Sequence, residues 1–158
     1  MEKLFQSVEQ IGTILNKHTQ QDEQSGRLSK PVISALRNTG LYRLFLPASL
    51  GGMEADSLTV AKLVEKVAHY NAAAGWSVMV ASAGNWWSRC LPAEGVEEIF
   101  IHSPEFFAAA ISPPMKAERT KGGYIINGQS PLCSNVHEAG WVGASSMVME
   151  NRQPVMNN

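Results

Sequence analysis

Lys121 to Trp141 reads KGGYIINGQSPLCSNVHEAGW. Two turn signals, Lys121-Gly122-Gly123 and Asn127-Gly128, bracket a short run of strand-formers, Tyr124-Ile125-Ile126. The next segment carries hydroxyl, thiol and amide groups and almost no charge: Ser130, Cys133, Ser134 and Asn135. A second apolar run opens at Trp141. Small neutral polar groups between two strands suit backbone that lies against a ligand better than they suit a core. The pattern predicts a hairpin whose connecting loop is the functional element, with the flanking sequence building its surroundings.

Strand signals continue on both sides. Phe106 to Ile111 is a strand-like run closed by Ser112-Pro113-Pro114, Ala117 to Thr120 a second, Tyr124 to Asn127 a third and Trp141 to Met149 a fourth. Glu150-Asn151-Arg152-Gln153 reads as a turn, and Pro154-Val155-Met156 as the start of a returning strand. A sheet with a strand barely begun has an open edge, which natural folds avoid. The expectation is a fragment, or a chain that needs a partner to finish its sheet.

Upstream of residue 104 the period changes to that of helices. Leu4, Val8, Ile11 and Leu15 recur at spacings of three and four, predicting an amphipathic helix from Glu2 to Gln24. Ser29 before Lys30-Pro31 is a helix start, with Val32, Ile33 and Leu36 inward and Gly40 as a left-handed stop. Leu50-Gly51-Gly52 marks a tight turn. Asp56 or Ser57 caps a third helix through Tyr70, with Leu58, Ala61, Val64 and Ala68 on one face. Asn71 caps a fourth, Ala72 to about Arg89. Its apolar residues, Trp76, Val78, Met79, Val80, Trp86 and Trp87, lie nearly all round, which predicts a position at the centre of a bundle. Pro92 ends it, and Glu94 to Ile101 forms a last short helix.

Composition narrows the function classes. The chain has 158 residues, 44% of them hydrophobic and 17% charged, which is a globular composition with material for a core. A net charge of −1 gives no electrostatic case for nucleic acid or an anionic membrane. The stretch Asn71 to Trp87 is too polar and too short for a membrane span. The N-terminus shows no signal-peptide pattern. Cys90 and Cys133 lack CxxC or metal-ligand spacing and read as two reduced thiols of a cytoplasmic protein, with a bridge between them as the alternative. His18, His69, His102 and His137 are scattered without ligand partners, so no metal is expected. No Ser-His-Asp order, P-loop or GxGxxG supports a hydrolase, kinase or Rossmann reading.

The order of these motifs resembles the N-terminal and early middle domains of the acyl-CoA dehydrogenase superfamily. The residues that carry the likeness are Leu44-Phe45-Leu46-Pro47 with Leu50-Gly51-Gly52, Ala73-Ala74-Gly75-Trp76, Ser112-Pro113-Pro114, and Gly122-Gly123-Tyr124 through Gly128 to Ala139-Gly140-Trp141. The resemblance covers essentially the whole chain. It implies an α+β architecture: an all-α helical bundle over residues 1–104, then the first strands of an antiparallel β-barrel-like domain over 105–158. It also implies a flavin, FAD or FMN, between the two. By spacing after the Asn-Gly turn, the flavin-contacting segment falls on Leu132, Cys133 and Ser134, and Ser134 inherits a donor role at the ring edge near N5. Ser112 falls on the family's other flavin segment.

Ser-Pro-Pro in place of a Glu-containing segment resembles the branch of two-component flavin-dependent monooxygenases, which use reduced flavin and oxygen on aromatic or heteroaromatic substrates. That branch carries Trp where this chain has Ser130, and Gly where it has Asn135. The resemblance further implies a flavin reductase as partner and a homo-oligomeric assembly. It places Asn85, Trp86 and His137 on the substrate side, with Arg89 beside them, and assigns no catalytic residue, because the family's catalytic group lies in a C-terminal helical bundle. Two other readings stand beside this one: an FAD-dependent acyl-CoA dehydrogenase, and a non-catalytic truncated remnant.

Overall fold

The computed structural model of the chain describes residues 2–103, 106–151 and 153–155. Four helices come first in the chain: α1 (Glu2–Ser25), α2 (Lys30–Asn38), α3 (Ser57–Tyr70) and α4 (Ala72–Gly84). A tight helical turn, Asn85–Arg89, continues α4, and the short α5 (Ala93–Val96) runs into a wide turn, Glu97–Ile101. The strands are β1 (Phe106–Thr120), β2 (Gly123–Asn127), β3 (Ala139–Glu150) and β4 (Gln153–Pro154). The boundary expected between residues 104 and 105 lies outside the described residues, as does Met156 of the expected returning strand.

Caps set the helix starts. Asp56 accepts from Thr59 N at 3.0 Å to open α3, and Asn71 Oδ1 accepts from Ala74 N at 3.0 Å to open α4. Ser29 does stand at the start of α2, but its hydroxyl makes no capping bond. The Ser29 N–H instead donates to Asp22 Oδ1 at 2.8 Å. Asp22 is a buried acid on α1 that the apolar period of that helix does not reveal.

Two expected faces are corrected. In α3 the buried residues are Val60, Leu63 and Val67; of the expected face, Val64 and Ala68 are half-buried, Val64 against the core and Ala68 beside Gly75, while Leu58 and Ala61 face solvent. This helix carries two apolar stripes, and the β-branched and Leu stripe wins the core. In α4 the inward residues are small: Ala74, Gly75, Ser77, Val78, Ala81 and Ser82. Trp76, Trp86 and Trp87, expected inside, are exposed. The reason is close approach. A Cβ on Gly75 would sit 2.5 Å from Ala68 Cβ, and one on Gly84 would sit 2.7 Å from the Phe107 carbonyl oxygen. A helix this near to both α3 and β1 leaves no room for an indole on its inner side. The helix also stops at Gly84, earlier than its apolar run suggests.

The sheet differs from the expected antiparallel barrel. It is open, with strand order β2-β1-β3-β4. β1 and β2 form an antiparallel hairpin about Lys121-Gly122, with Thr120 opposite Gly123. β3 lies on the other side of β1 and runs parallel to it, from Phe106 opposite Ala139 to Glu118 opposite Met149. The segment 128–138 therefore does not close a hairpin between its flanking strands. It crosses over β1, as a parallel pairing requires. Ser112-Pro113-Pro114 does not end the first strand either. It sits at the register shift between Ala110 and Met115, where two residues without N–H groups interrupt the ladder and the strand continues.

The two halves share one core. Phe106 packs among Leu36, Leu41, Tyr42, Leu63 and Val78 of the helical cluster, with its ring centroid 4.5 Å from that of Tyr42. Phe107 joins Leu46 and Phe100 in a second cluster. The start of β1 is thus anchored in helices, and the crossover that follows β2 passes the outer side of α4.

Candidate functional site

A cleft of about 630 Å³ opens between the N-terminal half of α4, the turn joining α1 to α2, and the crossover 130–138. Its volume falls in the range of small-molecule sites, roughly 300–1,000 Å³. Apolar walls come from Leu28, Ile33, Trp76 and Leu132, and neutral polar groups come from Ser77, Cys133, Ser134 and Asn135. Asp22, Glu23, Arg27 and Glu138 lie around the same space.

Successive residues of α4 grip successive residues of the crossover. Trp76 donates its indole N–H to Ser134 Oγ at 2.9 Å. Ser77 Oγ donates to Asn135 Oδ1 at 2.6 Å, and Asn135 Nδ2 donates back to the Ser77 carbonyl at 2.9 Å. Ser77 is 3% exposed, and its hydroxyl lies 3.1 Å from that of Tyr42. Burial pushes the Tyr42 phenol up to about 12. The crossover also braces itself: the single Ser130 hydroxyl proton lies between two carbonyls, that of Leu132 at 2.8 Å and that of Ser112 at 3.3 Å.

The consequence for Ser134 is directional. An indole N–H only donates, so the Ser134 oxygen is the acceptor in that pair. One lone pair is occupied and the hydroxyl proton is left for an acceptor elsewhere. Beside it, burial raises the Cys133 thiol, which keeps that group protonated and neutral near pH 7. The cleft thus offers an aromatic wall, two adjacent neutral donors in the Cys133 thiol and the Ser134 hydroxyl, and a polar rim. That donor set fits a planar heteroaromatic ring with acceptors along its edge, which is the chemistry of an isoalloxazine.

The structure brings Leu132, Cys133, Ser134 and His137 together at this cleft. Leu132 is 78% exposed and projects freely. Ser112 is exposed on β1 and meets the crossover only through its carbonyl. Asn85 and Trp86 do not reach the cleft. Asn85 is buried beside Tyr42, Phe106 and Phe107, and Trp86 packs against Phe45 with the Arg89 guanidinium 4.8 Å above its ring. Ser77 and Trp76 complete the site: Trp76 is expected as core from sequence and Ser77 carries no expectation, while Asn135 belongs to the polar loop read as lying against a ligand. A single signal for them exists: Asn at a loop position suited to left-handed backbone. Asn135 has φ 67°, so it keeps the conformation that glycine would hold there.

The chain is similar to known monooxygenases. No established family profile matches the chain. The indole-3-acetate monooxygenase of Pseudomonas putida is 35% identical over 124 residues, which is 77% of this chain and 31% of that protein. The oxygenase subunit HsaA, a flavin-dependent monooxygenase of Rhodococcus jostii strain RHA1, is 25% identical over 152 residues, 96% of this chain and 40% of that one. Among solved structures, XiaF from Streptomyces, determined with FADH2 and glycerol, superposes with a TM-score of 0.93 at 23% identity, over 98% of this chain and 39% of XiaF. The chain shares their fold. It spans between 31% and 40% of the length of these curated relatives. Among the described residues no helix is long and apolar enough to cross a membrane.

Proposed function

We propose that this chain supplies one wall of the flavin site in a two-component, flavin-dependent monooxygenase acting on an aromatic or heteroaromatic substrate, and that it is a portion of an acyl-CoA dehydrogenase-like fold. The observation that carries the reading is the Trp76–Ser134 bond, which occupies the Ser134 oxygen as an acceptor and leaves its hydroxyl proton available to an acceptor in the cleft. The names of the relatives, oxygenase components and aromatic hydroxylases, support it. A reduced FAD or FMN bound here would supply the two electrons of an oxygenation that consumes dioxygen and two protons, hydroxylates the substrate and releases water. A separate reductase delivers the reduced flavin.

The chain's own residues bind and orient. Ser134 would donate to the ring edge, its oxygen held by the Trp76 indole N–H. Trp76 and Leu132, both exposed without a ligand, would flank the ring and limit water there. Cys133, held neutral, sits beside the ring without adding charge. Ser112 supports the crossover through its carbonyl. His137 stands at the rim on the substrate side. No catalytic role is assigned to a residue of this chain.

Anaerobic titration with reduced FMN and reduced FAD tests this. The chain is expected to bind at least one of them, with a flavin-induced rise in melting temperature, and Ser134→Ala to weaken binding by about fivefold, one donor being worth roughly 1 kcal/mol. Trp76→Phe retains the ring, removes the N–H, and is expected to fall between the two. A chain that neither binds flavin nor changes its melting temperature in its presence would leave only the reading of a non-catalytic remnant.

A further inference from the structure

Asn135, the residue after Ser134, sits at φ 67° and ψ 6°, a left-handed conformation that Asn and Gly hold more readily than other residues. Glycine would satisfy the backbone alone. Asn135 does more, because its amide makes two hydrogen bonds to one residue of α4, one to the Ser77 hydroxyl and one to the Ser77 carbonyl. Ser77 has one hydroxyl proton, and it goes to Asn135 Oδ1. The Tyr42 hydroxyl is therefore the donor in its contact with Ser77. The result is a directed relay, Tyr42 to Ser77 to Asn135, in which the first two members are buried. Tyr42 is itself fixed against Phe106 at the junction of helices and sheet.

We propose that Asn135 is a positioning residue that preorganises residues 133–136 through Ser77 and Tyr42, so that the Ser134 hydroxyl faces the cleft in the ligand-free protein. A second bond within the loop, Val136 N–H to the Cys133 carbonyl at 3.2 Å, closes the same turn. Preorganisation of this kind raises affinity by removing the ordering cost at the moment of binding. The identity of the ligand rests on the flavin reading above; the preorganisation does not.

The test is hydrogen exchange on the ligand-free chain, paired with anaerobic titration of reduced FMN. Asn135→Gly keeps the left-handed backbone and deletes both bonds. The Val136 amide is expected to exchange at least tenfold faster in that variant, with the amides of α4 from Val78 to Gly84 unchanged, and the affinity for reduced FMN to fall by about tenfold. Asn135→Asp retains the acceptor for the Ser77 hydroxyl and is expected to recover part of the protection. Ser77→Ala, which keeps the carbonyl and loses the hydroxyl, is expected to match it. Unchanged exchange at Val136 in Asn135→Gly overturns the proposal even if flavin binds. Faster exchange there, in a chain that binds no flavin, supports the preorganisation and counts against the flavin reading instead.

Discussion

Asn71 Nδ2 donates to Asp22 Oδ2 at 3.2 Å, and both residues are buried. One amide thereby serves three elements. Its oxygen caps α4 at Ala74 N, its nitrogen meets the carboxylate of α1, and that carboxylate in turn holds Ser29 N at the start of α2. Asp22 also lines the cleft. Replacing Asn71 by Ala removes a cap and leaves one oxygen of a buried carboxylate without its donor. The expected loss is about 2–4 kcal/mol in urea unfolding, roughly 1 from the cap and the remainder from the unpaired acceptor. A loss below about 0.5 kcal/mol would show that the amide bridges nothing that matters to folding.

The Tyr42 phenol gives a second expectation, with a sign. Its folded value is raised, from 10.0 to about 12, chiefly because burial disfavours the phenolate. A group raised in the folded state contributes stability that is complete below its unfolded value and is lost as pH rises through its folded one. The window is thus pH 10 to 12, and the loss across it is on the order of 2–3 kcal/mol. Tyr42→Phe has no such titration but gives up the bond to Ser77, about 1 kcal/mol at neutral pH. The stability curves of the two proteins should cross in the alkaline range when followed by circular dichroism in urea. Parallel curves from pH 8 to 12 would mean that Tyr42 ionises as freely folded as unfolded.

Local chemistry made part of this legible in advance. Asp56 and Asn71 announce α3 and α4 because a cap is a contact over three residues. The stripe Leu4, Val8 and Leu15 announces the inner face of α1 because period and burial coincide there. The crossover was not legible. Asn127-Gly128 is a valid turn signal, but which side of β1 receives the next strand is decided by Phe106 and Phe107 packing into helices, far away in sequence. The exposure of the tryptophans was hidden for a similar reason. Gly75 and Gly84 set how close α4 comes to its neighbours, and hydrophobicity alone does not encode that distance. The spacing that put Ser134 at a site found its position, while its partner Trp76, 58 residues earlier, was visible only once the chain had folded.

The two apolar stripes of α3 can be separated by experiment. Leu63 is fully buried and Leu58 is 64% exposed. Leu63→Ala should cost about 2–5 kcal/mol, as core Leu truncations do. Leu58→Ala should stay within about 0.5 kcal/mol, as exposed substitutions do. Thermal or urea unfolding of the pair measures the face directly. Equal losses would rotate α3 away from the orientation described.

Cys133 turns the cleft into something that can be footprinted. The chain has two cysteines, Cys90 exposed and Cys133 half-buried among the cleft residues, and they are not bridged. Burial raises the Cys133 thiol, so less of it is thiolate at a given pH, and the thiolate is the reacting species. Alkylation of Cys133 by iodoacetamide near pH 8 should therefore be slower than that of a free thiol, and its rate should keep climbing with pH beyond the range where a free thiol levels off. Cys90 serves as the internal control in peptide mapping by mass spectrometry. Saturating reduced FMN under anaerobic conditions should slow modification of Cys133 by at least fivefold and leave Cys90 unaffected, because a ring seated along residues 132–134 covers one thiol and not the other. Equal rates at Cys133 with and without bound flavin would move the ring away from this loop, whatever the affinity.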